Sequence, residues 1–167
     1  VATDHDDARN EPWAEPGQAH YDAALEFVAD RLSRQSGQYC LVVGSPLYEA
    51  RTLYGLGWSV THADVRAQPD HKVLIDLRYV QCDATALPFR DGEFDALSST
   101  CVLCHVGLGR YGDFVVTGGD RIALHEFARV LRHGGVAAIM FGPTHPGLQK
   151  TITLGNTHRV YNSREAI

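Results

Sequence analysis

The residues Asp83 to Gly135, DATALPFRDGEFDALSSTCVLCHVGLGRYGDFVVTGGDRIALHEFARVLRHGG, run in the order strand end, acidic residue, buried strand, polar loop, amphipathic helix and glycine stop. Phe94-DALSS is a short run rich enough in apolar residues to be a buried strand. From Asp120 to Arg132, Leu124, Phe127, Ala128 and Leu131 form one apolar stripe; Asp120 is placed to cap the helix and Gly134 to end it. Gly135-VAAIMFG follows as another strand. Upstream, Tyr39-CLVV is an apolar run closed by Gly44, with a helical stretch up to Gly55 or Gly57, then Ser59-VTHA ending at Asp64, then a short strand Val80-Gln81-Cys82. Leu25, Val28, Ala29 and Leu32 mark a helix from Ala19 that ends near Gly37. Strands that alternate with helices pair in parallel through right-handed crossovers, so the expected architecture is an α/β doubly wound sheet.

A chain of 167 residues, 44% hydrophobic and 21% charged, has the length and apolar content of one core. Its formal charge of −5 gathers at the start, where Asp4, Asp6, Asp7, Glu11 and Glu15 face only Arg9. With Pro12, Pro16 and Gly17, residues 1–18 are expected to be a flexible acidic leader from which Trp13 can dock, and residues 19–167 the folded domain. Basic residues do not cluster among aromatics, so no nucleic-acid partner is expected. Neither a signal-peptide run nor a long apolar span is present, so no membrane partner is expected and the cytoplasm is the expected compartment. Cys40, Cys82, Cys101 and Cys104 fall in or beside buried strands and are expected to be reduced. Nothing in the pattern sets the oligomeric state.

The stretch quoted above, together with Cys40-LVVGSPLYEA, resembles the class I S-adenosylmethionine-dependent methyltransferases. That resemblance implies a Rossmann-like sheet, S-adenosyl-L-methionine as cofactor and S-adenosyl-L-homocysteine as product. Sheets of this class normally finish with a helix and an antiparallel hairpin. This chain stops at Glu165-Ala-Ile, where a helix would start, so either the sheet is abbreviated or, the favoured expectation, the C-terminal hairpin lies outside this chain.

In such a sheet, ligands sit beyond the carboxyl ends of the strands, where the strand order reverses. Gly44, Ser45, Pro46 and Glu49 follow the first strand, although Pro46 and Tyr48 stand where further glycines are usual. Asp64, twenty residues after Gly44, is placed to accept both ribose hydroxyls, a task that suits an acceptor-only group. Asp83 is placed at the adenine amino group, with Cys82, Ala84 and Thr85 lining the ring, and Ser98, Ser99 and Thr100 would pass under the methionine part. As a plainer reading, Asp64 and Asp83 are turn residues at strand ends.

The chain also resembles the methyltransferase-like group called domain of unknown function 268. The matching residues are Gly44-Ser45-Pro46 with Glu49, His105 with Gly107-Leu-Gly-Arg-Tyr-Gly-Asp113, Arg129-Val-Leu with Gly134-Gly135, and Asn156 with His158-Arg159 and Tyr161. Cys104 departs from that group's acidic residue.

Methyl transfer from a sulfonium is an in-line displacement, for which the protein aligns the acceptor and excludes water. His105 is the first candidate for the base that takes the acceptor's proton, with Asp113, His158 and Tyr111 behind it. Arg110 and Arg159 are candidates to hold an anionic part of the acceptor. Against this, a histidine in a glycine-rich loop can simply bond backbone carbonyls and hold the loop. Cys101-Val-Leu-Cys104-His105 is formally a haem-attachment string, and with His125 it could hold zinc; the α/β pattern without a signal sequence disfavours haem, the missing second ligand pair and the place of Cys101 at the end of a buried strand disfavour zinc, and no metal is expected. The leading function is therefore methylation of a small-molecule acceptor, a sugar or specialised metabolite, at oxygen or nitrogen. Two alternatives remain: a non-catalytic methyltransferase-like binding domain, and a nicotinamide-dependent Rossmann oxidoreductase, which the missing G-x-G-x-x-G disfavours.

Overall fold

The computed structural model describes residues 18–33, 38–67, 77–145, 148 and 150–162. The acidic leader up to residue 17, the end of the first helix near Gly37 and the helix expected from Glu165 lie outside them. The elements in chain order are α1 (Gln18–Ser33), β1 (Tyr39–Val43), α2 (Leu47–Gly55), β2 (Ser59–Asp64), β3 (Arg78–Gln81), β4 (Phe94–Thr100), α3 (Gly119–Val130) and β5 (Leu131–Met140). Then come β6 (Thr144–His145), β7 (Ile152–Leu154) and β8 (His158–Asn162). Strands β3-β2-β1-β4-β5 form one sheet in that order, every pair parallel. The order reverses between β1 and β4, as in a doubly wound Rossmann-like sheet.

Strand β1 shows why the apolar run reads as a central strand. Successive side chains leave a strand on opposite faces. Cys40 and Val42 pack with Val28 and Leu32 of α1 and Ala50 and Leu53 of α2. Leu41 and Val43 join Ala123, Phe127 and Val130 of α3 on the other face. Both faces are thus covered, and a strand in that position has no room for alternating polar residues.

Helix α3 departs from the sequence reading at both ends. Asp120 sits inside the first turn, and the residue at the cap is Gly118, with no side-chain cap bond. The helix stops at Val130, before Arg132 and Gly134, because the chain passes directly into β5. Leu131 pairs with Phe94, the register shifts between Phe94 and Ala96, and the Arg132 guanidinium reaches Asp95 at 2.6 Å. Asp95 also accepts the backbone N–H groups of Gln38 and Tyr39, at 2.8 and 2.9 Å, so one carboxylate joins the starts of β1 and β5. Strand β3 begins two residues earlier than expected and leaves Cys82 in the following loop.

The final segment forms a second sheet in the order β6-β8-β7, with β7 antiparallel to β8. It reaches the end of β4 through the Arg159 N–H, which donates to the Cys104 carbonyl at 2.8 Å. Among the described residues, no helix is long and apolar enough to cross a membrane.

Candidate active site

The turn after β1 is set from beneath. Gly44 has φ +63° and donates its N–H to the Ala63 carbonyl at 2.7 Å, and a Cβ here would come within 2.8 Å of the Val102 side chain. Glycine alone takes this backbone conformation without strain. Ser45 is fully buried: its Oγ accepts the Thr100 N–H at 2.8 Å, tying β1 to β4. Its carbonyl accepts a bond of 2.9 Å from His62 Nε2, so that nitrogen carries the proton. Burial holds the His62 ring below its ordinary pKa, the Arg66 charge acts in the same direction, and the ring is neutral at pH 7.

Glu49 on α2 is also buried, with its carboxyl bonded to the Ser98 hydroxyl. Burial pushes the Glu49 pKa up, against the hydroxyls of Ser98, Thr100 and Ser45 that favour the carboxylate. Ser99 is fully buried, with its hydroxyl directed at the Val43 carbonyl. Ser45, Glu49 and Ser99, expected to touch the cofactor, therefore form the support under the strand ends, while Gly44, Pro46 and Thr100 face the cavity above them.

That cavity measures about 260 Å³ and opens where the sheet order reverses. Asp64 lines one wall with its side chain only 4% exposed. Its Oδ1 accepts Arg66 Nε and the Arg66 N–H, each at 2.9 Å, and its Oδ2 accepts Arg66 Nη2 at 2.5 Å. Cys82, Asp83 and Ala84 line the next stretch. Asp83 Oδ1 accepts the Thr85 N–H and hydroxyl at 2.8 and 2.7 Å, and Oδ2 accepts the Phe114 N–H at 3.2 Å. The Cys82 thiol is pushed up to about 11, first by burial and then by Asp83 and Asp64, and is no nucleophile at pH 7.

The segment Gly107 to Asp113 closes the opposite side. Asp113 Oδ2 accepts the N–H groups of Gly107 and Gly109 at 2.8 and 3.1 Å, and Oδ1 accepts that of Tyr111 at 3.2 Å. Burial opposes ionisation, yet the backbone N–H groups of Gly109, Tyr111 and Gly107 outweigh it and hold the Asp113 pKa down. The Tyr111 ring stands against two guanidinium groups, Arg66 at 5.5 Å and Arg110 at 5.2 Å, and meets the His105 ring edge-on at 5.5 Å.

His105 lines the cavity, and its Nδ1 lies 2.7 Å from the Thr157 carbonyl, which also accepts Arg110 Nη1 at 3.1 Å. A carbonyl only accepts, so in this bond Nδ1 bears the proton, and in the neutral form of the ring Nε2 is the basic nitrogen. His158 is buried 6.2 Å from the His105 ring, centroid to centroid, and does not line the cavity. Arg159 is buried as well: Nη1 donates to the Leu103 and Val106 carbonyls at 3.1 and 2.7 Å, and Nε approaches Asp120 at 3.8 Å. It fastens β8 to the loop after β4 and is not presented to an acceptor.

The family model described as "Methyltransferase domain" matches residues 43–139, from the end of β1 to the end of β5. The chain belongs to the methyltransferase domain family. A search of curated proteins finds no match. Among solved structures, this methyltransferase domain is similar to 1,6-didemethyltoxoflavin-N1-methyltransferase of Burkholderia thailandensis, solved with 1,6-didemethyltoxoflavin and S-adenosylhomocysteine. The two are 16% identical over 89% of this chain and 64% of that one, with a TM-score of 0.65. The [4+2]-cyclase SpnF is 19% identical over 94% of this chain and 58% of that one, also with a TM-score of 0.65. The YcgJ protein of Bacillus subtilis is 19% identical over 68% of this chain and 48% of that one, with a TM-score of 0.52. At these identities the likeness is one of fold, the class I methyltransferase sheet. The chain spans 48% to 64% of the length of these three structures.

Two site residues of the methyltransferase domain escape the sequence reading. His62 stands between Thr61 and Ala63 in β2, where every residue after Ser59 is buried, and gives no periodic signal. Arg66 follows Asp64 by two positions, a spacing that says nothing of its guanidinium turning back onto that carboxylate. Of the residues proposed for a metal, His125 lies on the exposed face of α3, and Cys104 Sγ is 3.3 Å from the Cys101 carbonyl.

Proposed function

We propose that this domain transfers the methyl group of S-adenosylmethionine to an oxygen or nitrogen of a small-molecule acceptor, a sugar or specialised metabolite. The observation that supports it most is one cavity, at the reversal of strand order, with Asp64 and Asp83 on the side of β2 and β3 and His105 facing it from the end of β4. The donor set fits the cofactor: two carboxylates at successive strand ends for a nucleoside, and a glycine turn at β1 where a Cβ would crowd Val102. When bound, S-adenosylmethionine supplies a methyl group on a sulfonium, activated toward in-line displacement and leaving as a neutral thioether.

The chain's own residues do the rest. Asp64 accepts ribose hydroxyls, and Asp83 with Cys82 and Ala84 borders the base. Gly44, Pro46 and Thr100 shape the part beside β1 and β4, held by Ser45 and Glu49 from below. His105 Nε2 takes the proton that the acceptor loses as its lone pair forms the bond to carbon, while Nδ1 holds the ring to Thr157. Asp113 keeps the Gly107 to Asp113 segment over the site and Tyr111 covers its mouth. His158 and Arg159 act through packing and the β8 contacts.

Within the family, the domain of unknown function 268 group remains the closer assignment we favour. Its two separate blocks in this chain, one around Gly107-Asp113 and the other around His158-Arg159, are bonded to each other through Thr157 and Arg159. The SpnF likeness is a reminder that this fold also carries a cyclase, so reaction type rests on the family match and on the site. The test is incubation with methyl-labelled S-adenosylmethionine and separate pools of small metabolites, RNA and protein. Label in the small-molecule pool, lost with His105→Ala, is the expected result; label in RNA or protein overturns the acceptor class.

A further inference from the structure

Asp64 already has a partner for most of its bonding capacity. An ionised carboxylate offers about four acceptor directions. Three are taken, all by Arg66: its N–H and Nε on Oδ1, each at 2.9 Å, and Nη2 on Oδ2 at 2.5 Å. A ribose brings two hydroxyl donors, so both cannot be accepted while the guanidinium stays. The two halves of Arg66 differ in freedom. Its backbone is pinned, because Tyr79 Oη donates to the Arg66 carbonyl at 3.0 Å and Gln81 Nε2 to the Val65 carbonyl at 3.1 Å. Its side chain is 55% exposed, and while it holds Asp64 its guanidinium also lies over the Tyr111 ring at 5.5 Å, a contact that does not depend on the carboxylate.

We propose that the Arg66 guanidinium is a displaceable latch on Asp64, which a nucleoside must release in order to bond that carboxylate through both ribose hydroxyls. The inference rests on the reading of this cavity as the S-adenosylmethionine site. In the free protein the latch balances the charge of a buried carboxylate that would otherwise keep only the Arg66 backbone N–H. The apparent affinity for the cofactor is then the intrinsic affinity reduced by the fraction of molecules with the latch open. Arg66 is thus a positioning residue that weakens the binding of ligands carrying the ribose diol and leaves ligands without it unaffected.

Calorimetric titration with S-adenosylhomocysteine, and with its analogue lacking both ribose hydroxyls, separates this from a structural role. Arg66→Gln should tighten S-adenosylhomocysteine roughly five- to tenfold, the scale of a half-exposed bidentate ion pair, and leave the analogue unchanged. Arg66→Lys, which pairs through a point charge and not a fork, should gain less. Melting of the unliganded variants shows that each is folded. Equal or weaker binding of S-adenosylhomocysteine by Arg66→Gln, with the wild type binding normally, overturns the latch and leaves the cofactor reading standing. An equal gain for the analogue also overturns it. Failure of both wild type and variant to bind overturns the cofactor reading and the latch with it.

Discussion

His105 and Thr157, 52 positions apart, are joined by a 2.7 Å hydrogen bond from the imidazole Nδ1 to the backbone carbonyl. The bond closes the β7–β8 turn onto the segment after β4 and fixes which ring nitrogen holds the proton. It also lets the two roles of His105 be separated. His105→Ala loses both the base and the contact. His105→Asn keeps an N–H donor for Thr157 but has no base. Both should lower turnover by about 10²–10⁴ while sparing cofactor binding, with the melting temperature of the Asn variant nearer to wild type. Turnover restored by asparagine means that His105 only holds the loop.

Glu49 predicts an inverted pH dependence of stability. Its folded pKa is raised by burial, so its contribution is complete below the unfolded carboxyl pKa and is lost as pH rises through the folded value. Glu49→Gln reproduces the protonated form at every pH. Denaturant unfolding should find it at least as stable as wild type at pH 8, with the two converging near pH 4. Glu49→Ala leaves the buried Ser98 hydroxyl without its acceptor and should cost about 1–3 kcal/mol throughout.

Asp113 has the opposite sign. Its folded pKa is depressed, so its contribution is present above the unfolded value and is lost as pH falls through the folded one. Asp113→Asn removes a charged acceptor from three backbone N–H groups and should cost about 1–3 kcal/mol at pH 7. Melts taken down to pH 3 should show that gap narrowing. A gap that stays constant across the range contradicts the charge-assisted account.

Gly107 and Gly112 both have positive φ, at +79° and +89°, but their surroundings differ. A Cβ on Gly107 would fall 2.7 Å from the Val116 carbonyl oxygen and 3.0 Å from the Gly119 Cα, whereas one on Gly112 meets open space. Gly112→Ala should cost only backbone strain, about 1–3 kcal/mol. Gly107→Ala adds a backbone clash and should be the more destabilising of the two by thermal melting.

The main sheet was legible because its strands are local apolar runs. Tyr39–Val43 and Ser59–Asp64 have the bounds their residues suggested, and Asp64 and Asp83 do follow strands on one edge. The end of α3 was not legible: Gly134 looks like a stop, but the bond from Arg132 to Asp95 and the pairing of Leu131 with Phe94 are long-range and draw the chain into β5 sooner. The same limit applies to the site. Ser45 and Ser99 lie at or next to the ends of β1 and β4, and Glu49 on α2, yet only packing shows that they turn beneath the strand ends while Gly44 and Thr100 face the cavity. The β7–β8 hairpin escaped the reading of the strands, since its short strands are held by Arg159 and Thr157 contacts to residues 103–110 more than by any pattern of their own.

The most direct test of the cofactor site is calorimetric titration of the wild type and Asp64→Ala with S-adenosylmethionine and S-adenosylhomocysteine, with NADH as control. The account predicts saturable binding of the first two by the wild type, none of NADH, and at least about tenfold weaker binding by Asp64→Ala through the lost ribose bonds. Binding of NADH at the same site, no saturable binding by the wild type, or undiminished affinity in Asp64→Ala would contradict it.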